Sequence, residues 1–355
     1  MSDAETATEV LIVGAGPIGI ELAVALQRAG VPYAHLEAEQ IGATITWYAP
    51  QTRFFSSPER IALAGVPLQT LDQSKTTREE YLSYLRAVVL QFDLEIHTYE
   101  RVTALARRPD GGFAAASERA GGERRWLARS VVLAIGDMHR PRRLGLPGED
   151  LPHVSHYFAD PHRYFRRRVL IVGGKNSAVE AAIRCYRVGA QVTVAYRGPD
   201  FDPDRVKFWL YPEIRALVRD GRVGFLPRTL PREIRPGRAV LERLAPGAEP
   251  GGGEAVEIEA DFVLLLTGYK QDPDLFTQVG VTLEGEGRRP RFDPATMETD
   301  VPGLFVAGTA TAGTQLAGVK EFIETSHVHV DRIVAALTGE RPPAVEAPQY
   351  ELPES

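Results

Sequence analysis

Two stretches of the chain run apolar, then glycine-rich, then amphipathic, then apolar again. The first is VLIVGAGPIGIELAVALQRAGVPYAHLE, residues 10–37, and the second is VLIVGGKNSAVEAAIRCYRVGAQVTVAYR, residues 169–197. The apolar run that opens each suits a strand buried on both faces. The segment after the glycines predicts a helix of about three turns, ended by Gly30 or Gly189 where a C-terminal glycine is expected. Strand–helix–strand units of this kind pair their strands in parallel, so the chain reads as a duplicated α/β architecture.

The remaining pattern fills in around these units. Thr77 and Glu80 form a T-x-x-E capping box ahead of the helical run YLSYLRAVVLQF. Short strands are expected at Leu94–His97, Val102–Leu105, Trp126–Ala128 and Val131–Ala134, then at Val223–Leu226, Ala239–Leu244 and Phe262–Leu266. The stretch GAEPGGGEA, residues 247–255, reads as a hairpin tip. A strand at Leu304–Val306 leads through a glycine-containing turn into a last helix, which should begin near Leu316–Gly318 and run to about Leu337. Residues 341–355, proline-rich and acidic, read as a disordered or docking extension.

In the first unit Gly14, Gly16 and Gly19 give G-x-G-x-x-G between a strand and a helix, with Pro17 at the helix start. Gly14 suits a tight turn, Gly16 lets backbone approach a pyrophosphate, and Gly19 allows close helix packing. The helix start offers aligned N–H donors to the phosphates. Glu37 closes the second strand, where a carboxylate accepts hydrogen bonds from ribose hydroxyls. This constellation predicts dinucleotide binding rather than a purely structural turn.

The second unit departs from that pattern. Gly173 and Gly174 open the turn, Lys175 stands where the next glycine would be, and Asn176 and Ser177 lead to Ala178 in place of the last. Lys175 either bends away or brings its ammonium to the phosphates. Arg197 follows the second strand, where an acid would repel a 2′-phosphate and a guanidinium pairs with it bidentately. That predicts NADPH over NADH; the alternative is a solvated strand end. Arg205 and Lys207 are further candidates for the same phosphate.

Composition narrows the class. A hydrophobic content of 44% and a charged content of 25% are ordinary for a soluble globular chain. The net charge of −6 argues against a nucleic-acid partner, and the densest basic run, Arg166–Arg168, reads as a solvated turn. No apolar window is long enough for a membrane span, and the acidic start does not resemble a signal peptide, so a cytoplasmic location is expected. With one cysteine, Cys185, a CxxC pair and a thiolate zinc cluster are excluded. On its helix Cys185 shares a face with Ala178, Ala182 and Gly189, which predicts burial against the sheet. His327 and His329 lie about 200° apart on one helix, so they are not a metal pair; one or both are expected to line a subunit interface. No metal site is expected.

The order of these parts resembles the two-dinucleotide-binding flavoproteins, the superfamily of thioredoxin reductases and flavin monooxygenases. Ala134-Ile135-Gly136 resembles the A-T-G that closes the first flavin segment, Thr267-Gly268-Tyr269 the T-G-Y of the pyridine-nucleotide domain, and Thr299–Gly308 the second flavin signature. Within the superfamily the chain resembles the bacillithiol-disulfide-reductase-like group, on TRFFSS (52–57), VSHYF (154–158), GGKNSA (173–178), Lys207, Trp209 and Pro212. Two departures stand out. Thr309 occupies the place where most of the superfamily has the aspartate that contacts the ribityl chain; this departure from the superfamily resembles the bacillithiol-type group and implies that the carboxylate contact is missing. Many members of the group carry a cysteine in the first glycine loop, where this chain has Ile18, which can neither attack nor hold a disulfide.

The resemblance implies two Rossmann-like domains, a discontinuous FAD domain (1–160 and 290–340) with an inserted NADPH domain (161–289). It implies FAD held by Gly14, Gly16, Pro17, Ile18, Gly19, Glu37, Trp47, Val102, Ala134, Gly136, Gly308, Thr309 and Gly318. NADPH would meet Gly173, Gly174, Lys175, Asn176, Ser177, Ala178, Arg197, Lys207 and Gly268. Trp47 and Tyr48 either pack near the flavin or belong to a core. The turn Gly313–Thr314 and the last helix start are expected beside flavin N1 and O2. His156 is a candidate proton donor, with a structural histidine as the alternative, and no other catalytic residue is assigned. The expected activity is NADPH-dependent reduction of a low-molecular-weight, bacillithiol-type disulfide by a homo-oligomer. Alternatives are a reductase for a small redox protein such as ferredoxin or flavodoxin, a flavin monooxygenase, and a non-catalytic flavin redox sensor.

Overall fold

The computed structural model describes residues 5–316 and 320–340. The expected tail and Gly318 lie outside the described residues. Among the described residues the helices are α1 (Pro17–Arg28), α2 (Ala43–Thr46), α3 (Arg78–Gln91), α4 (Asn176–Arg187), α5 (Tyr211–Arg219), α6 (Asp274–Gln278) and α7 (Ile323–Thr338). The capping box forms: the Thr77 N–H donates to Glu80 Oε2 at 2.8 Å, and the Glu80 N–H to Thr77 Oγ1 at 3.3 Å. Helix α7 starts at Ile323, later than Leu316–Gly318, because Leu316 is irregular and Phe322 is extended at the N-cap.

The chain divides into two compact units. One takes in the chain through Thr46, Arg53–Arg140, and the chain from Tyr269; the other takes in Trp47–Thr52 and Pro141–Gly268. These limits replace the expected breaks after 160 and 289. Strand Val154–Ser155 pairs in parallel with Phe262–Leu265, which ties residues before 160 to the second unit's sheet.

In the first unit, strand Glu5–Val13 lies between Tyr33–Leu36 and Gly122–Leu133, all parallel, and Leu304–Val306 adds in parallel to Gly122–Leu133. The strands expected at Trp126–Ala128 and Val131–Ala134 are one continuous strand. Its first half also pairs antiparallel with Phe113–Arg119, which pairs with Arg101–Arg107. Leu94–His97 is not a strand; it contributes a single bridge between Leu36 and His97. Alternation along the strands buries Leu11, Val13, Leu133 and Val306 with Val102, Phe113 and Trp126 on one side.

The second unit is built on the parallel order Gly224–Pro227, Gln191–Tyr196, Arg168–Val172, Phe262–Leu265, Val154–Ser155. Val169, Ile171, Val192 and Val194 face α4, packing on Val179, Ile183 and Cys185. Leu170, Val172 and Ala195 face the opposite way, onto Ile234, Ala239 and Leu241. That second face is covered by the antiparallel meander Thr229–Arg235, Arg238–Arg243 and Glu254–Glu259. The Arg166–Arg168 run is not a solvated turn throughout, since Arg168 opens a strand and pairs with Asp261 at 2.7 Å.

Candidate functional site

Register, more than any single motif, builds the first site. Val13 pairs with Leu36 and with Leu133, and Leu133 pairs with Val306. The residues that follow these strand ends are the glycine turn, Glu37, Ala134-Ile135-Gly136 and Ala307-Gly308-Thr309. Four motifs far apart in sequence therefore share one carboxyl edge of a parallel sheet, where such sheets bind ligands.

The turn at this edge leaves no room for side chains. Gly14 has φ +105°, and a β-carbon there would lie 2.5 Å from the Ala134 carbonyl oxygen. A β-carbon on Gly19 would lie 2.0 Å from the Gly14 oxygen, whereas Gly16 has nothing within 4 Å and so leaves open space at the N-cap of α1. Glu37 is tied to the turn: its Oε2 accepts the Ala15 N–H at 2.7 Å, and its Oε1 accepts the Glu39 N–H at 2.9 Å. Burial lifts the Glu37 carboxyl above its ordinary range, opposed by those N–H donors.

Two histidines, His35 and His329, hold the edge from beneath; of these the sequence singles out only His329, and for another place. His35 is fully buried, with Nε2 3.0 Å from the Gly14 carbonyl, which only accepts, so Nε2 carries the proton. His329 accepts the Gly308 N–H on Nδ1 at 3.2 Å. Burial lowers both imidazoles to about 4, so each is neutral. His327 instead lies between Glu21 (Nδ1 to Oε2, 2.6 Å) and the Arg60 carbonyl (2.9 Å from Nε2). Both the His327 and the His329 ring are thus engaged by contacts within the first unit.

Other residues around the edge settle as follows. Ile18 is buried and faces Gly308, whose β-carbon would sit 3.4 Å from that of Ile18. Val102 belongs to the core with Leu36 and Trp126 rather than to the edge. Trp47 falls in the second unit, where its ring meets Tyr157 edge-on at 5.5 Å.

In the second unit, Val172 pairs with Ala195 and with Leu265, which brings Gly173–Ala178, Arg197 and Gly268 to one edge. The Tyr196 ring lies against Gly174, 2.5 Å from where a β-carbon would be. Lys175 is the N-cap of α4. Burial, then the neighbouring Arg205, Arg197 and Arg142, hold its ammonium below the ordinary lysine value. These four cations gather at one end of the edge, and Arg142 is the one missed from sequence. It is anchored there by its own N–H, which donates to the Gly268 carbonyl at 2.8 Å. Lys207 is not part of that end: it is buried, with Nζ 3.1 Å from Glu180 Oε2, and its N–H donates to Asn176 Oδ1 at 2.6 Å.

His156 approaches Glu149 to 3.3 Å without hydrogen-bond geometry. Glu149 accepts from the N–H groups of Leu144, Gly145 and Leu146. Burial alone would raise the Glu149 carboxyl, but those donors hold it below its ordinary value. His156 thus faces a fixed carboxylate, the structural alternative. Cys185 is fully buried under α4, and burial pushes its thiol up to about 12.

Residues 11–308 match the pyridine nucleotide-disulphide oxidoreductase family. The chain belongs to that family. It is 33% identical over 329 residues to bacilliredoxin reductase Bdr of Bacillus subtilis (strain 168), covering 93% of this chain and 97% of the relative. A ferredoxin–NADP reductase of Ignicoccus hospitalis is 30% identical over 310 residues, 85% of this chain and 90% of that one. Among solved structures, the bacillithiol disulfide reductase Bdr from Bacillus cereus superposes with TM-score 0.86 at 33% identity, over 94% of this chain and 99% of that one. The protein is therefore an FAD-containing, NADPH-dependent oxidoreductase with two Rossmann-like units, similar to bacillithiol disulfide reductases. The first edge fits FAD: its turn excludes β-carbons at Gly14 and Gly19 while staying open at Gly16, as a bound pyrophosphate requires.

Proposed function

We propose that the protein passes electrons from NADPH through FAD to a low-molecular-weight disulfide of the bacillithiol type, without a protein thiol. The observation that carries this reading is the match to Bdr, which spans 93% of this chain at 33% identity. In this reading Gly14, Gly16 and the start of α1 at Pro17 hold the FAD pyrophosphate, and Glu37 takes the adenosine ribose. Ala134, Gly136, Gly308 and Thr309 border the flavin half, and Ile18 keeps it dry where a cysteine would otherwise stand. Gly173, Gly174 and the start of α4, from Asn176 to Ala178, receive the NADPH pyrophosphate. Arg197 takes the 2′-phosphate, with Lys175, Arg142 and Arg205 adding positive potential. Bound FAD supplies the two-electron chemistry, with overall stoichiometry NADPH + H⁺ + RSSR → NADP⁺ + 2 RSH.

A second reading is favoured by one observation. Ile18 and the buried Cys185 leave no accessible thiol, which suits a protein acceptor such as ferredoxin or flavodoxin. Steady-state NADPH oxidation against bacillithiol disulfide, ferredoxin, flavodoxin and oxygen decides between the two. Turnover with the disulfide at least tenfold above that with the redox proteins supports the first reading, and the reverse order replaces it with the second. A cytoplasmic homo-oligomer completes the proposal; no helix among the described residues is long and apolar enough to cross a membrane. Light scattering of the purified protein tests the oligomer.

A further inference from the structure

Thr309 lacks the carboxylate that the flavin superfamily places after its last Ala-x-Gly, yet the structure puts another carboxylate beside it. Asp137 follows Gly136 at the neighbouring strand end, where burial lifts its carboxyl above the ordinary range, opposed by the Gln315 and Thr309 side chains beside it. A β-carbon on Gly136 would lie 3.7 Å from Thr309 Oγ1, so the two backbone segments meet at this point. Gln315 fixes the acid from the other side, its Nε2 donating to Asp137 Oδ2 at 2.9 Å. Gln315 is itself held: its Oε1 accepts the Lys320 N–H at 2.6 Å and the Glu321 N–H at 3.2 Å, just ahead of α7. Every one of these residues belongs to the first unit.

A carboxylate offers about four lone-pair sites, so the one donor from Gln315 leaves acceptor capacity for further hydroxyls. A carboxylate set at the flavin edge, oriented by Gln315 and not consumed by an ion pair, is suited to a polyol. We propose that Asp137 supplies the carboxylate contact to the ribityl chain of FAD, the acid having moved from the end of strand Leu304–Val306 to the end of strand Gly122–Leu133. In this arrangement Gln315 orients it and Thr309 lies beside it. The proposal rests on the reading of the first edge as the FAD site.

Titration of the flavin-stripped full-length protein with FAD, and separately with ADP, tests it. ADP carries the adenosine half and the pyrophosphate but no ribityl chain. Asp137→Ala should weaken FAD about tenfold to hundredfold, the range for a charge-assisted hydrogen bond, and leave ADP unchanged. Thr309→Asp should also weaken FAD, because two carboxylates within hydrogen-bond reach repel each other. The double variant Asp137→Ala with Thr309→Asp should recover FAD affinity to within about threefold of wild type, since the acid returns to the other strand end. A double variant no tighter than Asp137→Ala, or an Asp137→Ala protein with wild-type FAD affinity, overturns the proposal. Equal loss of FAD and ADP assigns Asp137 a structural role and overturns it as well. If Asp137→Ala does not fold, Asp137→Asn takes its place, with the same expected loss of FAD and unchanged ADP. Wild-type protein that fails to bind ADP would instead overturn the reading of the first edge.

Discussion

The Oε2 atom of Glu37 accepts the backbone N–H of Ala15 at 2.7 Å, joining the acid at the end of the second strand to the middle of the glycine turn. The same carboxylate thus holds the turn and, in the function proposed above, takes the adenosine ribose. Glu37→Ala should cost on two counts. Loss of a charge-assisted hydrogen bond, with the fully buried Ala15 left without its acceptor, should lower the stability of the flavin-free protein by about 1.5–3 kcal/mol. FAD affinity should fall about tenfold or more in addition, from the lost ribose contacts. Denaturant melts of the flavin-free protein and fluorescence titration with FAD measure the two separately.

Stability should fall on acidification through the two neutral histidines. His35 and His329 are lowered to about 4 in the folded protein by burial, with His97 adding for the first and Arg332 and His327 for the second. The unfolded chain titrates near about 6.5, so between those values the unfolded state binds more protons and stability rises with pH. Their contribution is complete above about 6.5 and is lost as pH falls toward 4, at up to about 1.4 kcal/mol per pH unit for each ring. His327 acts oppositely and elsewhere. Burial alone would lower it, but Glu21 raises it, so its contribution is present below about 6.5 and lost as pH climbs through the raised value. Urea melts from pH 4 to 7 should show the acid slope, and His329→Asn, which can still accept the Gly308 N–H, should reduce it by about half. An unchanged slope in that variant would reassign the titration.

Arg197 tests the second edge. Its guanidinium is exposed beside the turn, with Lys175, Arg205 and Arg142 close enough to depress the lysine. Arg197→Ala should raise KM for NADPH about tenfold to hundredfold, equivalent to about 1.5–3 kcal/mol, and leave NADH nearly unchanged. Because four cations share the site, part of the 2′-phosphate affinity should persist; Arg142→Ala should weaken NADPH further in the double variant. Equal losses for both nucleotides would shift the 2′-phosphate to Arg205.

The motifs built on local backbone order are the legible ones. G-x-G-x-x-G, Glu37 and the second glycine turn depend on local order along the chain, and register places them where the strand–helix–strand pattern implied. The misses have a common cause. Phe113–Arg119 reads FAAASER, with alanine on both faces and Ser117 at a buried position, and Glu254–Glu259 is short and mostly exposed; both are held by antiparallel neighbours. Asp137, His329 and Arg142 each owe their role to a partner far away in sequence: Gln315, Gly308 and Gly268. Lys207 was misread because its side chain turns inward to Glu180. A single sequence carries the local chemistry of a turn but not the pairing of side chains across a sheet edge.

The one cysteine decides whether a thiol takes part. Cys185 sits fully buried between α4 and the sheet, in the cluster with Ala182, Ile183 and Val192, and burial pushes its thiol up to about 12. Since the thiolate is the nucleophile, a thiol so raised is inert near neutral pH. Ile18, buried against Gly308, offers no substitute at the glycine loop. Cys185→Ala should therefore keep full turnover with the physiological acceptor and lose only about 1 kcal/mol of stability, the cost of a small core cavity. The NADPH-reduced enzyme should show no long-wavelength thiolate–flavin charge-transfer band. Ile18→Cys supplies the converse test: a thiol placed at the loop should introduce that band, and a disulfide acceptor should then react through it. Loss of turnover in Cys185→Ala, with FAD retained and the melting temperature near wild type, would mean that the thiol reaches the acceptor, and the reaction would have to be rewritten as thiol–disulfide exchange.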